Sequence, residues 1–210
     1  MKKLLLNLIL LPFLNGCSVG HYEYNKETLS KADMNFVGIP TILGAGILGS
    51  SVPITPEYSL TAAHVAKYMM YKVKAYHPAC DLALIYHKNN ENTFPSFRNG
   101  VVGETINMYG YSFFSAMPVA SKGTILKNVL VRSSWNKIGC PLAISKAGVV
   151  QGMSGGPVYN QIDNTLTGIV EGYAYSLNNK DKNGNKYKDV SLYVPYSSFS
   201  IWLNKELMSK

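Results

Sequence analysis

No histidine follows Ser154. The chain carries four in its 210 residues, His21, His64, His77 and His87, and that shortage limits which imidazole could serve a nucleophile and in what order along the chain. Cysteine is just as scarce, with three residues at positions 17, 80 and 140. Cysteine and histidine together show no metal-type clustering, and neither a metal nor a cofactor is expected. Charged residues make up only 15% of the chain against 47% hydrophobic ones, which argues against wholesale disorder and for a real core. Long helical periodicity is scarce as well. The formal charge is +8, yet the lysines are scattered. Their one loose cluster, "KDKNGNKYK", lacks the interleaved stacking aromatics of a nucleic-acid face. It reads as a solvated loop, and nucleic acid is not expected as a partner.

What is present begins with a leader. In "MKKLLLNLILLPFLNGC" two lysines precede an apolar run of about a dozen residues, too short to span a bilayer. Residues 1–16 read as a secretory signal peptide. Its end, Leu14-Asn15-Gly16-Cys17, resembles a bacterial lipobox, in which Cys17 is lipidated and becomes the new N-terminus. Asn15 departs from the usual small residue there, and an ordinary signal cleaved nearby is the alternative. Ser18 after the cysteine resembles an outer-membrane address, so the expected location is a periplasm-facing lipoprotein of the outer membrane. Residues 17–34 are polar and aperiodic and read as a tether. The residues beyond Cys17, at about 3.3 Å each, would reach at most about 55 Å. The alternative is a segment lying on the domain.

From residue 35 the chain turns to short apolar runs broken by Gly, Pro and Asn. Fifteen tyrosines and 18 glycines, with turn signals at regular intervals, point to an all-β sandwich or barrels. "YKVKAY" alternates by two, and "DLALIYH" is an apolar strand start. Asn183-Gly184 is a hairpin signal. "ENTFPSFRNG" reads as a loop and a domain boundary, dividing residues 35–98 from 99–210. "SSFSIWLNKELMSK" carries a serine cap before an apolar-periodic stretch and predicts one C-terminal helix.

"QGMSGGPV", residues 151–158, surrounds one serine with small residues. Gly152-Met153-Ser154-Gly155-Gly156 matches the G-x-S-x-G elbow of α/β-hydrolases, but that fold places its histidine after the serine, and none is available. The order Asp-His-Ser could recruit Asp33, but needs an α/β layout that the strand pattern does not support. The order His, Asp, Ser remains. His64 sits in "LTAAH", where small residues let a strand-to-helix corner pack tightly. Asp81 sits in "ACDLALI", a carboxylate entering an otherwise apolar strand, and a buried carboxylate asks for a partner. His77 and His87 are the rival bases.

Taken together, "TAAH", "DLAL" and "GMSGGP" in this order resemble the trypsin-like (chymotrypsin-fold) serine proteases, including their bacterial periplasmic branch. The resemblance runs from about residue 35 to 200 and includes "GETINMYGYS", "SKGTIL" and "GIVEGY". It implies two six-stranded antiparallel Greek-key barrels, here 35–98 and 99–210, with a terminal helix and a cleft between them. It implies a serine endopeptidase acting on polypeptides, with His64 as general base and then acid, Asp81 orienting it, and Ser154 as nucleophile. The Gly152 and Ser154 amides would form the oxyanion hole. The substrate pocket falls near Gly148, Val149, Glu171 and Tyr173, and the lack of a carboxylate at its base favours small or apolar residues over Lys or Arg. Met153 replaces the aspartate that receives a freed N-terminus in many members, so activation by propeptide cleavage is not expected. Cys80 and Cys140 fall on segments that approach each other in the family, which makes a disulfide between them an expectation. A protease-fold binding lipoprotein without turnover is the alternative function.

Overall fold

Short runs of alternating residues fold as strands throughout the computed structural model, which describes residues 18–38, 46–131, 139–180 and 183–209. The leader and Cys17, with its expected lipid, lie outside the described residues. In the first half, β3 (Asp33–Gly38), β4 (Gly46–Pro53), β5 (Tyr58–Thr61), β6 (Val73–Tyr76) and β7 (Ala83–Tyr86) form an antiparallel sheet in the order β3-β4-β5-β7-β6. Five strands are the count among the described residues; residues 39–45 lie outside them. Leu60, Leu82 and Leu84 are fully buried on this sheet, the residues that "SLTAA" and "DLAL" supply to its centre. Helix α1 (Ala63–Tyr68) starts directly after β5. Ala62, Ala63 and Ala66 are buried there, because only a methyl-sized side chain lets the corner fold back on the sheet.

The second half closes on itself. It contains β8 (Thr105–Tyr111), β9 (Pro118–Val131), β10 (Cys140–Ser145), β12 (Pro157–Asn160), β13 (Leu166–Lys180) and β14 (Lys186–Pro195). These six pair in the order β10-β14-β13-β12-β8-β9, and β9 pairs back to β10. A closed ring leaves no open edge among those strands. The fold is the expected antiparallel all-β architecture with one C-terminal helix. Gly184, at φ +82°, sits in the connection between β13 and β14, where the Asn-Gly signal falls. Helix α2 (Tyr196–Met208) buries Phe199 and Leu203. Its start differs from the expected serine cap. Pro195 occupies the N-cap with no side-chain bond, and Ser198, already inside the first turn, donates to the Pro141 carbonyl at 2.8 Å. Proline's fixed φ and missing N–H suit the edge of a helix, so the backbone starts the helix without help from serine.

Residues 18–34 are not a free tether, and that expectation is corrected. β1 (Ser18–Val19) pairs with β11 (Val149–Val150), and β2 (Glu23–Tyr24) pairs with β9 at Val119 and Ala120. A 3₁₀ turn at Lys26–Ser30 follows, capped by the Asn25 side chain, which accepts the Glu27 amide. Thr28 is fully buried and its hydroxyl donates to the Val119 carbonyl at 3.0 Å. The polar composition misled because a segment that adds strands to a sheet satisfies its own backbone there and needs few apolar side chains. Deleting residues 18–31 is expected to lower Tm by about 5 °C or more, since roughly 2 kcal/mol of pairing and burial is lost. Calorimetry showing an unchanged Tm would mean the segment is dispensable.

Candidate active site

Three elements bring the chemistry-bearing side chains together. His64 is the second residue of α1, placed by the β5–α1 corner. Asp81 ends the turn before β7 and is 3% exposed. Its carboxylate grips His64 twice: Oδ1 accepts the His64 backbone amide at 2.9 Å, and Oδ2 lies 2.5 Å from the ring Nδ1. A carboxylate can only accept, so Nδ1 carries the hydrogen and Nε2 is the ring's acceptor. The burial that makes Asp81 unusual in an apolar strand is thereby answered by a charge-assisted hydrogen bond.

Ser154 is carried by the loop between β11 and β12, and the loop's backbone explains its glycines. Gly152 has φ +101° and Gly155 φ +86°, a region that favours glycine. A Cβ on Gly152 would strike the Tyr111 carbonyl, and one on Gly155 the Ser50 carbonyl. The amides of Met153, Gly155 and Gly156 donate to the carbonyls of Val150, Val170 and Met153. Those of Gly152 and Ser154 donate to no backbone carbonyl of the described residues. His64 and Ser154 open onto one cavity of about 320 Å³, lined also by Ile47, Leu48, Val65, Tyr68, Gln151 and Gly152. The Ser154 hydroxyl donates to the Glu171 carbonyl at 3.1 Å.

The remaining pocket residues are placed differently. Gly148 packs against the backbone of His21, and Val149 is buried beside Val19. Glu171 meets Ser154 through its main chain, and the ring of Tyr173 packs edge-on against Tyr175 at 5.3 Å between centroids. None of these four lines the cavity that holds His64 and Ser154. Cys80 and Cys140 are joined as a disulfide, which ties the residue next to Asp81 to the first residue of β10.

The rival histidines occupy other sites. His87 lies with Nδ1 3.3 Å from the Ser59 hydroxyl and 3.5 Å from Asp33 Oδ2. Both contacts fall on the same nitrogen, so the ring cannot take a proton from one side while being oriented from the other, and Ser59 is fully buried. Burial pushes the Asp33 carboxyl above the usual carboxylate range, against the opposing pull of His87. His77 accepts two backbone amides in the turn leading to Asp81.

One residue escaped the sequence reading. Ser50, fully buried in β4, donates to the Gly152 carbonyl at 2.8 Å and accepts the Tyr111 amide at 3.1 Å. Its own amide donates to the Ser154 carbonyl at 2.8 Å. The first sheet thus holds the serine loop of the second half at two points, and the end of β8 at a third. The only sequence signal was a pair of serines inside an apolar strand, "LGSSVP", which local pattern alone does not separate from a surface strand. Ser50→Ala should reduce stability by about 1–3 kcal/mol by leaving two buried groups without this partner; a change under about 0.5 kcal/mol in urea unfolding would mean the hydroxyl is not needed.

Comparison with protein-family models and with curated protein sequences found no match. Comparison with solved structures found many. The Rv3671c protease from M. tuberculosis in its active form superposes with a TM-score of 0.64 at 15% identity, over 88% of this chain and 84% of that one. The MamO protease domain from Magnetospirillum magneticum gives 0.61 at 18% identity, over 82% and 95%. The HtrA-type protease AlgW with a tripeptide gives 0.63 at 16% identity, over 84% of this chain and 62% of that longer one. The chain therefore has the chymotrypsin-like fold of the HtrA-type and trypsin-like serine proteases.

Proposed function

We propose that this chain is a serine endopeptidase working through His64, Asp81 and Ser154. The observation that carries the reading is the double attachment of the Asp81 carboxylate to His64, beside a cavity the imidazole shares with Ser154. Asp81 fixes the tautomer, so Nε2 takes the hydroxyl proton as Ser154 attacks the scissile carbonyl. The imidazolium that forms is stabilised by the buried carboxylate and returns the proton to the leaving amine. The oxygen that becomes negative sits against the amides of Gly152 and Ser154; losing one such donor raises the barrier by about 3–4 kcal/mol. Water then repeats the sequence on the acyl-enzyme.

The substrate is a polypeptide, a reading that the peptide-bound AlgW structures support. The cavity walls of Ile47, Leu48, Val65 and Tyr68 favour an apolar substrate side chain next to the scissile bond. At the pocket expected near Gly148 and Tyr173, small or apolar residues fit best. The leader and Cys17 support export and a lipid anchor on the periplasmic face of the outer membrane. Because Ser18 pairs with Val150, an anchor at Cys17 holds the cleft close to the bilayer rather than at the end of a long tether.

A fluorophosphonate probe tests the activity. Labelling of the wild type that disappears in Ser154→Ala supports the endopeptidase. A folded wild type that takes no label refutes it and favours a protease-fold binding protein.

A further inference from the structure

His77 lies in the turn His77–Asp81, which joins β6 to β7 and ends on the carboxylate that grips His64. Its ring Nδ1 accepts the amides of Cys80 at 2.9 Å and Ala79 at 3.2 Å. Its backbone amide donates to the Leu82 carbonyl at 2.9 Å, so the turn is closed around the residue from both ends. The other face of the ring meets α2. Trp202 packs edge-on against it with centroids 5.2 Å apart, and the Ser198 carbonyl faces the imidazole. Cys80, inside the same turn, is bonded to Cys140. The segment bearing Asp81 is therefore held from the second half by two links, one covalent and one through this imidazole.

We propose that His77 is a positioning residue for the reaction: its neutral ring, accepting two turn amides at Nδ1, aims the Asp81 carboxylate at His64, and protonation of that nitrogen releases the turn. The inference rests on the endopeptidase reading for its consequence in turnover, but the geometry it invokes is that of the His64–Asp81 pair alone. An Nδ1 that faces two N–H donors has no room for a hydrogen of its own. The protonated ring must give up both bonds, and the turn they hold then opens.

The groups around the ring fit this role. From its own turn it meets the amides of Ala79 and Cys80, and from α2 the Ser198 carbonyl and the Trp202 ring. The Asp81 carboxylate in the same turn is directed at His64. Burial pulls the His77 imidazole below its ordinary value of 6.5, and the Ser198 carbonyl opposes this; among the described residues no charged side chain shifts it. A histidine whose folded value is depressed contributes stability that is present above 6.5 and is lost as pH falls through the lowered value. The turn is thus secured at neutral pH and loosens in acid.

Two substitutions in the full chain separate positioning from packing. His77→Asn keeps an oxygen that can accept turn amides, as Asn does in Asx turns, but does not titrate. His77→Ala removes the acceptor. The first measurement, in a Ser154→Ala background, is the NMR signal of the His64 Nδ1 proton bonded to Asp81, followed from pH 8 into acid. The second is the rate of fluorophosphonate labelling of Ser154 over the same range, on protein shown by mass spectrometry to retain the Cys80–Cys140 bond. His77→Ala should lose the bonded-proton signal and label at least about ten-fold more slowly at neutral pH, because small misplacements of a catalytic group are that costly. His77→Asn should keep the signal and label within about three-fold of wild type, and its rate should fall less steeply in acid. The proposal is overturned if His77→Ala keeps the signal, if His77→Asn fares no better than His77→Ala, or if wild type and His77→Asn share one acid profile. Should the wild type take no label at all, the endopeptidase reading fails, and the proton signal alone still decides whether His77 positions Asp81.

Discussion

Asp81→Asn is expected to lower kcat by about 10⁴-fold while leaving the fold intact, and Ser154→Ala by about 10⁶-fold. The reason for the first lies in the two bonds of the carboxylate. One oxygen accepts the His64 backbone amide and the other faces ring Nδ1. An asparagine has one acceptor and one donor end. Its oxygen goes to the backbone amide, which can only donate, so its NH₂ is turned toward Nδ1. The ring must then carry its hydrogen on Nε2, the nitrogen that receives the serine proton in the proposed reaction. The substitution is nearly isosteric, so the loss should appear in kcat on a peptide substrate with the near-UV circular dichroism unchanged. A variant within ten-fold of wild type would show that Asp81 does not set the tautomer.

Removing the disulfide should be the largest single change in stability. Cys80 and Cys140 are 60 residues apart, and closing a loop of that length in the unfolded chain corresponds to about 4 kcal/mol in the chain-entropy treatment. Both residues are buried, at 3% and 0% exposure. The double variant is therefore best made with alanine, because a serine hydroxyl there would need a new partner. For a chain of this size, 4 kcal/mol lowers Tm by roughly 8–16 °C. The bond also joins the Asp81 turn to β10, so the reduced protein should lose probe labelling at temperatures where the oxidised protein still reacts. Guanidinium unfolding that shifts by less than about 1 kcal/mol between the two would mean the loop is already restrained by other contacts.

The parts of the site legible in the chain were those whose chemistry is local. Gly152 and Gly155 stand out as part of the small-residue run around Ser154, and their positive φ is the local property behind it. Asp81 stands out because a carboxylate among leucines is costly unless paired. The alanines before His64 stand out because the corner has no space for more. Ser50 did not, since a buried hydroxyl in a strand looks locally like an exposed one, and its partner Gly152 is 102 residues away. Residues 18–34 misled for a related reason. Their stabilisation comes from backbone pairing with β9 and β11, which side-chain composition does not report. His77 appeared only as a rival base, because its role depends on a turn and a helix meeting at one ring.

Residue order along the polypeptide led to the proposed order His, then Asp, then Ser, and determined the antiparallel all-β architecture and the terminal helix, because periodicity, turn residues and chain order are one-dimensional properties. Folding in three dimensions settled how the N-terminal segment lies on the second barrel, how the first sheet grips the serine loop through Ser50, which cysteines join, and toward which carbonyl the Ser154 hydroxyl points. Each of those is a contact between groups remote along the backbone. Its energy depends on the distance and angle between two partners, and neither partner carries that information in its own neighbourhood.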